Sequence, residues 1–281
     1  MKYEFLSPIT NTRSKIMKTR FVLLIFGLVM WTSHFAFADF PIRQSNNWDD
    51  NPAIAYNSND NRYLVVWNEL IPSGQLYFIG PVMGQHVTEG GALIGNAFQI
   101  LSNGVEPSVA YNNQTNEYFV TATWAGIKGQ RVNSLGSLLG NSIQLMDNAS
   151  YSRILYNSIT GNYLLAGADL VENPPGSGYF DIKIFTRKIG ADGQPLGSTL
   201  QVEDTHSGYQ PQEARYALAY APLQSSETPS GRYLLTTQTN IGVSLTMLNS
   251  DGAPMYIVHD PDHPGTDYRY IPFSTGTVTG G

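Results

Sequence analysis

The sequence predicts an all-β fold for residues 39–281: a β-propeller of four-stranded antiparallel blades, with four clear repeats and a candidate partial fifth. Three observations carry this. Charged residues make up only 14% of the 281-residue chain, whereas it holds 27 Gly and 17 Tyr, a balance of turn and strand formers rather than of long surface helices. From residue 39 onward no apolar pattern of helical period is found. Two anchor motifs also recur four times in the same order, the signature of a repeat architecture.

The N-terminal element comes first. Met17-Lys18-Thr19-Arg20 precedes an apolar run from Phe21 to Trp31, and Ala36-Phe37-Ala38 then offers small residues at the two positions a signal peptidase reads. Thr32, Ser33 and His34 stop the run short of the roughly 20 residues a membrane span needs. The expectation is therefore cleavage near Ala38 and a secreted or periplasmic protein, with an uncleaved N-terminal anchor as the alternative. The chain divides into residues 1–38, an N-terminal extension and signal peptide, and residues 39–281, the repeat domain; residues 1–16 precede a better start at Met17. Cleavage would remove five of the 16 basic side chains (Lys2, Arg13, Lys15, Lys18, Arg20) and one of the 22 acids (Glu4), leaving 11 against 21 and a net charge of −10. Such a field repels phosphate backbones and anionic lipid, so no nucleic-acid partner is expected, nor a membrane span in the mature chain. With no cysteine, disulfides, zinc thiolates and thiol nucleophiles are excluded.

The first anchor is a Tyr-rich hairpin. Pro52-Ala53-Ile54-Ala55-Tyr56-Asn57 with Tyr63-Leu64-Val65-Val66-Trp67 is matched by Pro107 to Asn112 with Tyr118, by Arg153 to Asn157 with Tyr163, and by Ala217 to Tyr220 with Tyr233. Two runs of β-branched, aromatic and aliphatic residues around Asn, Ser, Thr or Gly spell a hairpin, strands A and B. The second anchor is stricter. Val87, Val132, Ile189 and Leu248 are each followed four residues later by Gly91, Gly136, Gly193 and Gly252, and after four more by Gly95, Gly140 and Gly197, with Tyr256 breaking the pattern. Gln99, Gln144 and Gln201 follow, with Asp260 in the fourth copy, giving strands C and D. The Tyr anchors lie 55, 45 and 64 residues apart, near propeller blade length once loops are allowed. A β-sandwich need not repeat in register, and a β-solenoid has shorter repeats.

Closure is less determined. Phe40-Pro41-Ile42-Arg43 matches the D strands at Phe98 to Leu101 and Ile143 to Met146 yet precedes the first A strand, as a strand donated across the ring would. Met255 to Val258 is a poor fourth D strand, and Tyr268 to Phe273 a candidate fifth A strand. Either four blades close with a decorated end, or a larger wheel has lost part of its chain.

The Pro-x-x-Ala-Tyr-Asn hairpin followed by Gly-x-x-x-Gly-x-x-Phe/Ile-Gln resembles repeats of uncharacterised exported bacterial β-propeller proteins over residues 40 to about 260. That resemblance implies the architecture and carries no agreed chemistry.

In a propeller the D-to-A and B-to-C connections share the face around the channel mouth. Aligned on the Tyr anchor, Asn51, Glu106, Tyr151 and Arg215 stand five residues before it, and Asp49, Asp50 and Glu213 six or seven before it. Asp49, Asp50, Asn51, Glu106, Tyr151 and Arg215 are therefore the candidate ligand-binding residues, a mixture suited to a polar ligand such as a sugar, against the plain reading of solvated loop residues. Trp48-Asp49-Asp50-Asn51-Pro52 also resembles the first strand of five-bladed glycosidases. That resemblance implies Asp50 or Asp49 as general base and Glu106 or Glu213 as general acid, the two carboxylates that glycosidic cleavage uses.

Other constellations are weaker. His259-Asp260-Pro261-Asp262-His263 reads as a turn, His86 and His206 as structural, and Tyr56, Trp67, Tyr111, Tyr118, Tyr156 and Tyr163 as packing between blades. There is no calcium loop, phosphate loop or nucleophile elbow, and no metal or cofactor is expected. The leading functional expectation is a non-catalytic binding or adhesion module for a glycan or protein ligand. The alternative is a carbohydrate-active enzyme, a glycoside hydrolase using the channel-mouth carboxylates; a structural role in a cell-envelope assembly is a third reading.

Overall fold

The computed structural model describes residues 41–43, 46–73, 76–206, 215–222, 230–239, 242–255, 257–258 and 267–268. The chain divides into two compact units, Met1–Ile42 and Arg43–Gly281, and the account below concerns the second. The signal segment, Phe40, Glu213 and the His259 to His263 cluster lie outside the described residues.

The fold is a four-bladed β-propeller. Blade 1 is β1 (Trp48–Asn57), β2 (Arg62–Ser73), β3 (Leu76–Thr88) and β4 (Leu93–Leu101). Blade 2 is β5 (Val105–Asn112), β6 (Glu117–Thr123), β7 (Ile127–Asn133) and β8 (Leu138–Met146). Blade 3 is β9 (Ser150–Asn157), β10 (Asn162–Glu172), β11 (Phe180–Ile189) and β12 (Pro195–His206), and blade 4 has β13 (Tyr216–Ala221), β14 (Arg232–Thr239) and β15 (Gly242–Leu248). Each blade is an antiparallel meander in chain order, and the first strands β1, β5, β9 and β13 are neighbours in that order along the channel.

Each blade packs its face on the next. One buried cluster joins Leu64, Val66 and Ile100 of blade 1 to Tyr118, Val120 and Val132 of blade 2. A second joins Phe119 and Leu145 of blade 2 to Tyr163 and Leu165 of blade 3, and a third joins Leu164 and Ile184 of blade 3 to Tyr233 and Leu248 of blade 4. The repeated tyrosines sit at these joints. In every blade the two anchors face each other across the A–B hairpin with ring centroids 5.1–5.2 Å apart. Such a pair adds roughly 0.5–1.5 kcal/mol beyond the area it buries.

The asparagine after the A-strand tyrosine closes the A–B turn. Asn57 Oδ1 accepts the backbone N–H of Asn59 and Asp60, Asn112 Oδ1 those of Gln114 and Thr115, and Asn157 Oδ1 those of Ile159 and Thr160. All three are fully buried, and the amides of Asn57 and Asn157 also donate to the next blade, at Asn116 Oδ1 and the Ser230 carbonyl. The turn glycine of strands C and D has a second job. Gly252 has φ +81°, and a Cβ there would lie 2.6 Å from Leu164 Cδ1 and 2.9 Å from Thr186 Oγ1 of blade 3. It thus serves the turn and the joint together.

The fourth blade departs from its expected form. Met255 N–H bonds the Met247 carbonyl and Leu248 bridges Pro254, so a D strand begins beside β15. Then β16 (Ile257–Val258) pairs with β17 (Asp267–Tyr268). The expected D strand at Met255 to Val258 thus turns away, and Tyr268 of the expected fifth A strand lies in a two-residue pair. The other D strands pass through Gly95, Gly140 and Gly197 at φ +66°, +70° and +74°, and the sequence of this copy has Tyr256 at the aligned position. The expected donated strand also differs, since Pro41–Arg43 are not strand and Arg43 pairs instead with the buried Glu69 of β2, which Asn47 joins. Among the described residues no helix is long and apolar enough to cross a membrane.

Candidate functional site

Every A strand but the last described carries a β-bulge at its start. The register slips between Asp50 and Ala53, between Val105 and Ser108, and opposite Ala166 to Ala168 in blade 3. In each bulge one non-glycine residue takes left-handed backbone: Asn51 (φ 49°), Glu106 (φ 53°) and Tyr151 (φ 59°). This conformation costs an L-residue roughly 1–2 kcal/mol, least for Asn. Its recurrence at one position in three blades marks it as a constructed feature that re-aims side chains.

What it builds is a cavity of about 670 Å³ at the channel mouth, within the roughly 300–1,000 Å³ usual for small-ligand sites. Asn51, Glu106, Tyr151 and Arg215 all line it, one from each blade. So do Ala53, Ser108, Arg153 and Ala217, two residues further along each strand and on the same face. Gln238, Thr236, Thr237 and Val243 of blade 4 complete one wall. Asp49 and Asp50 are exposed and stand beside the cavity rather than in its lining.

The bulges are pinned from both sides. Asn68, five residues past Tyr63, accepts the Glu106 N–H at 3.2 Å, and Thr123, at the same place in blade 2, accepts the Tyr151 N–H at 3.1 Å. The Glu106 carbonyl accepts the Ser152 hydroxyl, which in turn accepts from Thr121. Blade 3 has Ala168 where Asn68 and Thr123 stand, and the next link is instead the Tyr216 hydroxyl donating to the Tyr151 carbonyl. Burial pushes the Tyr216 phenol far above its ordinary range, with Arg153 lowering it and Glu106 raising it, so it stays a neutral donor.

Two carboxyl-bearing residues are joined along the rim. The Asn51 amide donates to Asp50 Oδ2 at 3.1 Å and to Asn68 Oδ1 at 3.3 Å, and Asn68 Oδ1 is the acceptor of the Glu106 N–H. Asp50, Asn51, Asn68 and Glu106 thus form one chain across blades 1 and 2. Asp49 is occupied elsewhere, accepting the Trp67 indole N–H at 3.1 Å. Arg153 was missed by counting only from the loop; period-two alternation from Tyr151 would have found it. Arg153 donates to the Ser152 carbonyl at 2.9 Å and sits 5.7 Å from the Tyr216 ring centroid. Among the described residues no group of three His, Asp or Glu is placed to hold a metal ion.

No protein-family model and no curated protein sequence matches the chain. Solved structures of similar fold do. The GH43 endo-arabinanase from Bacillus licheniformis is 13% identical, with 74% of this chain and 77% of that one covered at a TM-score of 0.40. The α-L-arabinanase of Cellvibrio cellulosa complexed with arabinohexaose is 10% identical, with 78% and 82% covered at 0.43. The exo-β-1,3-galactanase from Phanerochaete chrysosporium with galactose is 12% identical over 78% of this chain and 51% of that one, at 0.46. At these values the likeness is one of propeller architecture. The expectation of a non-catalytic binding or adhesion module, and with it of no enzyme, is corrected to this extent: the structures of similar fold carry the names of glycosidases and not of binding modules.

Proposed function

We propose that the chain is a carbohydrate-active enzyme, a glycoside hydrolase that holds its glycan at the channel mouth. The single observation that carries this reading is the cavity fed by all four blades, with Glu106 in its lining and Asp50 bound to it through Asn51 and Asn68. Hydrolysis of a glycosidic bond needs one carboxylic acid to protonate the leaving oxygen and a second carboxylate to activate water or attack the sugar carbon. Glu106 takes the first role, and Asp50 the second as general base. Asn51 orients Asp50, while Tyr151 and Gln238 offer polar contacts to sugar hydroxyls. Backbone pinning at Glu106 fixes the bulge from which its carboxyl projects. Export after cleavage near Ala38 belongs to the same proposal, since a polysaccharide substrate lies outside the cytoplasm. It is supported by the basic, apolar and Ala-x-Ala order of residues 17–38.

The test is release of reducing ends from a panel of polysaccharides by folded protein. Wild type is expected to release them, Glu106→Gln to lose at least a hundredfold in kcat with KM little changed, and Asp50→Asn to lose a similar factor. A folded wild type that cleaves nothing, or a Glu106→Gln protein as fast as wild type, overturns the reading.

A further inference from the structure

The cavity is lined by charge of both signs. Its charged lining residues among those described are one carboxylate, Glu106 of blade 2, and two guanidiniums, Arg153 on β9 and Arg215 just before β13. Asp50 of blade 1 stands exposed beside the cavity, outside this lining. This lining carries net positive charge in a chain whose overall charge is −6. A neutral sugar gains nothing from two guanidiniums that general polar contacts would not supply.

We infer that the site takes an acidic glycan, a uronic-acid-containing polysaccharide, with the sugar carboxylate bound by Arg153 and Arg215. The inference rests on the glycan reading above and names the substrate class of that site. A guanidinium offers five N–H donors in a planar fork that fits a carboxylate in two parallel bonds. Arg153 is held for that use: one donor is spent on the Ser152 carbonyl, and the Tyr216 ring lies beneath the group. Tyr216 is buried, so the platform does not move with solvent. Arg215, just before the strand that carries Tyr216, is exposed and lines the same cavity.

The experiment is calorimetric binding of oligogalacturonate, oligoglucuronate and alginate oligomers, each beside a neutral oligosaccharide of the same linkage where one exists, with Glu106→Gln protein so that nothing is cleaved. At least one acidic oligomer is expected to bind tenfold or more tightly than its neutral counterpart. That advantage is expected to shrink as NaCl rises from 50 to 500 mM, and to fall at least fivefold in both Arg153→Gln and Arg215→Gln. Circular dichroism of the variants checks that they fold, and Arg153→Lys keeps charge but loses the fork, so it is expected to lie between. If neutral oligosaccharides bind as well as acidic ones, or if the preference survives both arginine variants, the inference fails while the glycosidase reading stands. If no glycan binds and wild type cleaves none, both fail.

Discussion

At the scale of single residues, several buried polar atoms lack a hydrogen-bond partner, among them the Tyr118 and Tyr163 hydroxyls and both ring nitrogens of His86 on β3. Of these groups His86 belongs to the residue type that titrates near neutral pH. It is buried between the Phe98 ring at 5.6 Å and the Tyr118 ring at 5.7 Å, and neither ring nitrogen makes a well-formed hydrogen bond, the backbone of Tyr63 being the nearest approach. Burial above all, and then the Arg62 guanidinium, holds its pKa below the ordinary 6.5, with Asp60 and the Tyr63 backbone acting the other way. The folded protein therefore refuses a proton that the unfolded chain takes up below about pH 6.5. Stability from this site is complete above that pH and is lost as pH falls through it towards the lower folded value. Urea midpoints of wild type and His86→Leu, compared at pH 7.5 and pH 5.5, are expected to show a larger acid loss for wild type. Equal losses would mean that His86 does not titrate in this way.

At the scale of elements, the A strands show what can and cannot be read from a sequence. Tyr56, Tyr111, Tyr156 and Tyr220 were legible because period and turn chemistry agree, and the Gly91, Gly136, Gly193 and Gly252 register was legible because glycine announces a left-handed turn. The bulges were not, since Asn51, Glu106 and Tyr151 adopt that conformation without being glycine and are held there by Asn68, Thr123 and Tyr216, far along the chain. The left-handed strain is measurable at Asn51, where two substitutions remove the same amide. Asn51→Gly and Asn51→Ala both lose the amide bonds to Asp50 Oδ2 and Asn68 and keep the backbone N–H bond to Asp50 Oδ1, but only alanine pays the steric cost of φ 49°. The glycine variant is expected to be more stable than the alanine variant by about 1 kcal/mol in chemical denaturation, offset in part by glycine's extra entropy when unfolded. Both are expected to lose turnover together, because one of the two bonds that orient Asp50 is gone. An alanine variant as stable as the glycine one would show the bulge to be unstrained.

At the scale of the whole molecule, three joints between four blades hold the described residues together. Each joint holds a buried cluster, and two of them add an asparagine amide reaching to the next blade. Blades 2 and 3 have such a cluster on both faces. Blades 1 and 4 have one each among the described residues, and their strands show it: Ile54 and Tyr56 of β1 are 60% and 46% exposed, and Val243 of β15 is 47% exposed. The fourth copy also lacks the turn asparagine, having Ala221 where Asn57, Asn112 and Asn157 stand, so the amide bond that ties blades 1 and 3 forward has no counterpart there. A molecule with nearest-neighbour joints of this kind opens from the blades that have fewest. Native-state hydrogen exchange is therefore expected to protect the amides of β6 and β10 most, with opening energies near that of global unfolding. The amides of β1 and β14 should exchange through smaller openings, at rates at least tenfold faster. Uniform protection across the four blades would contradict this ordering and would require a joint between blades 4 and 1 as strong as the other three.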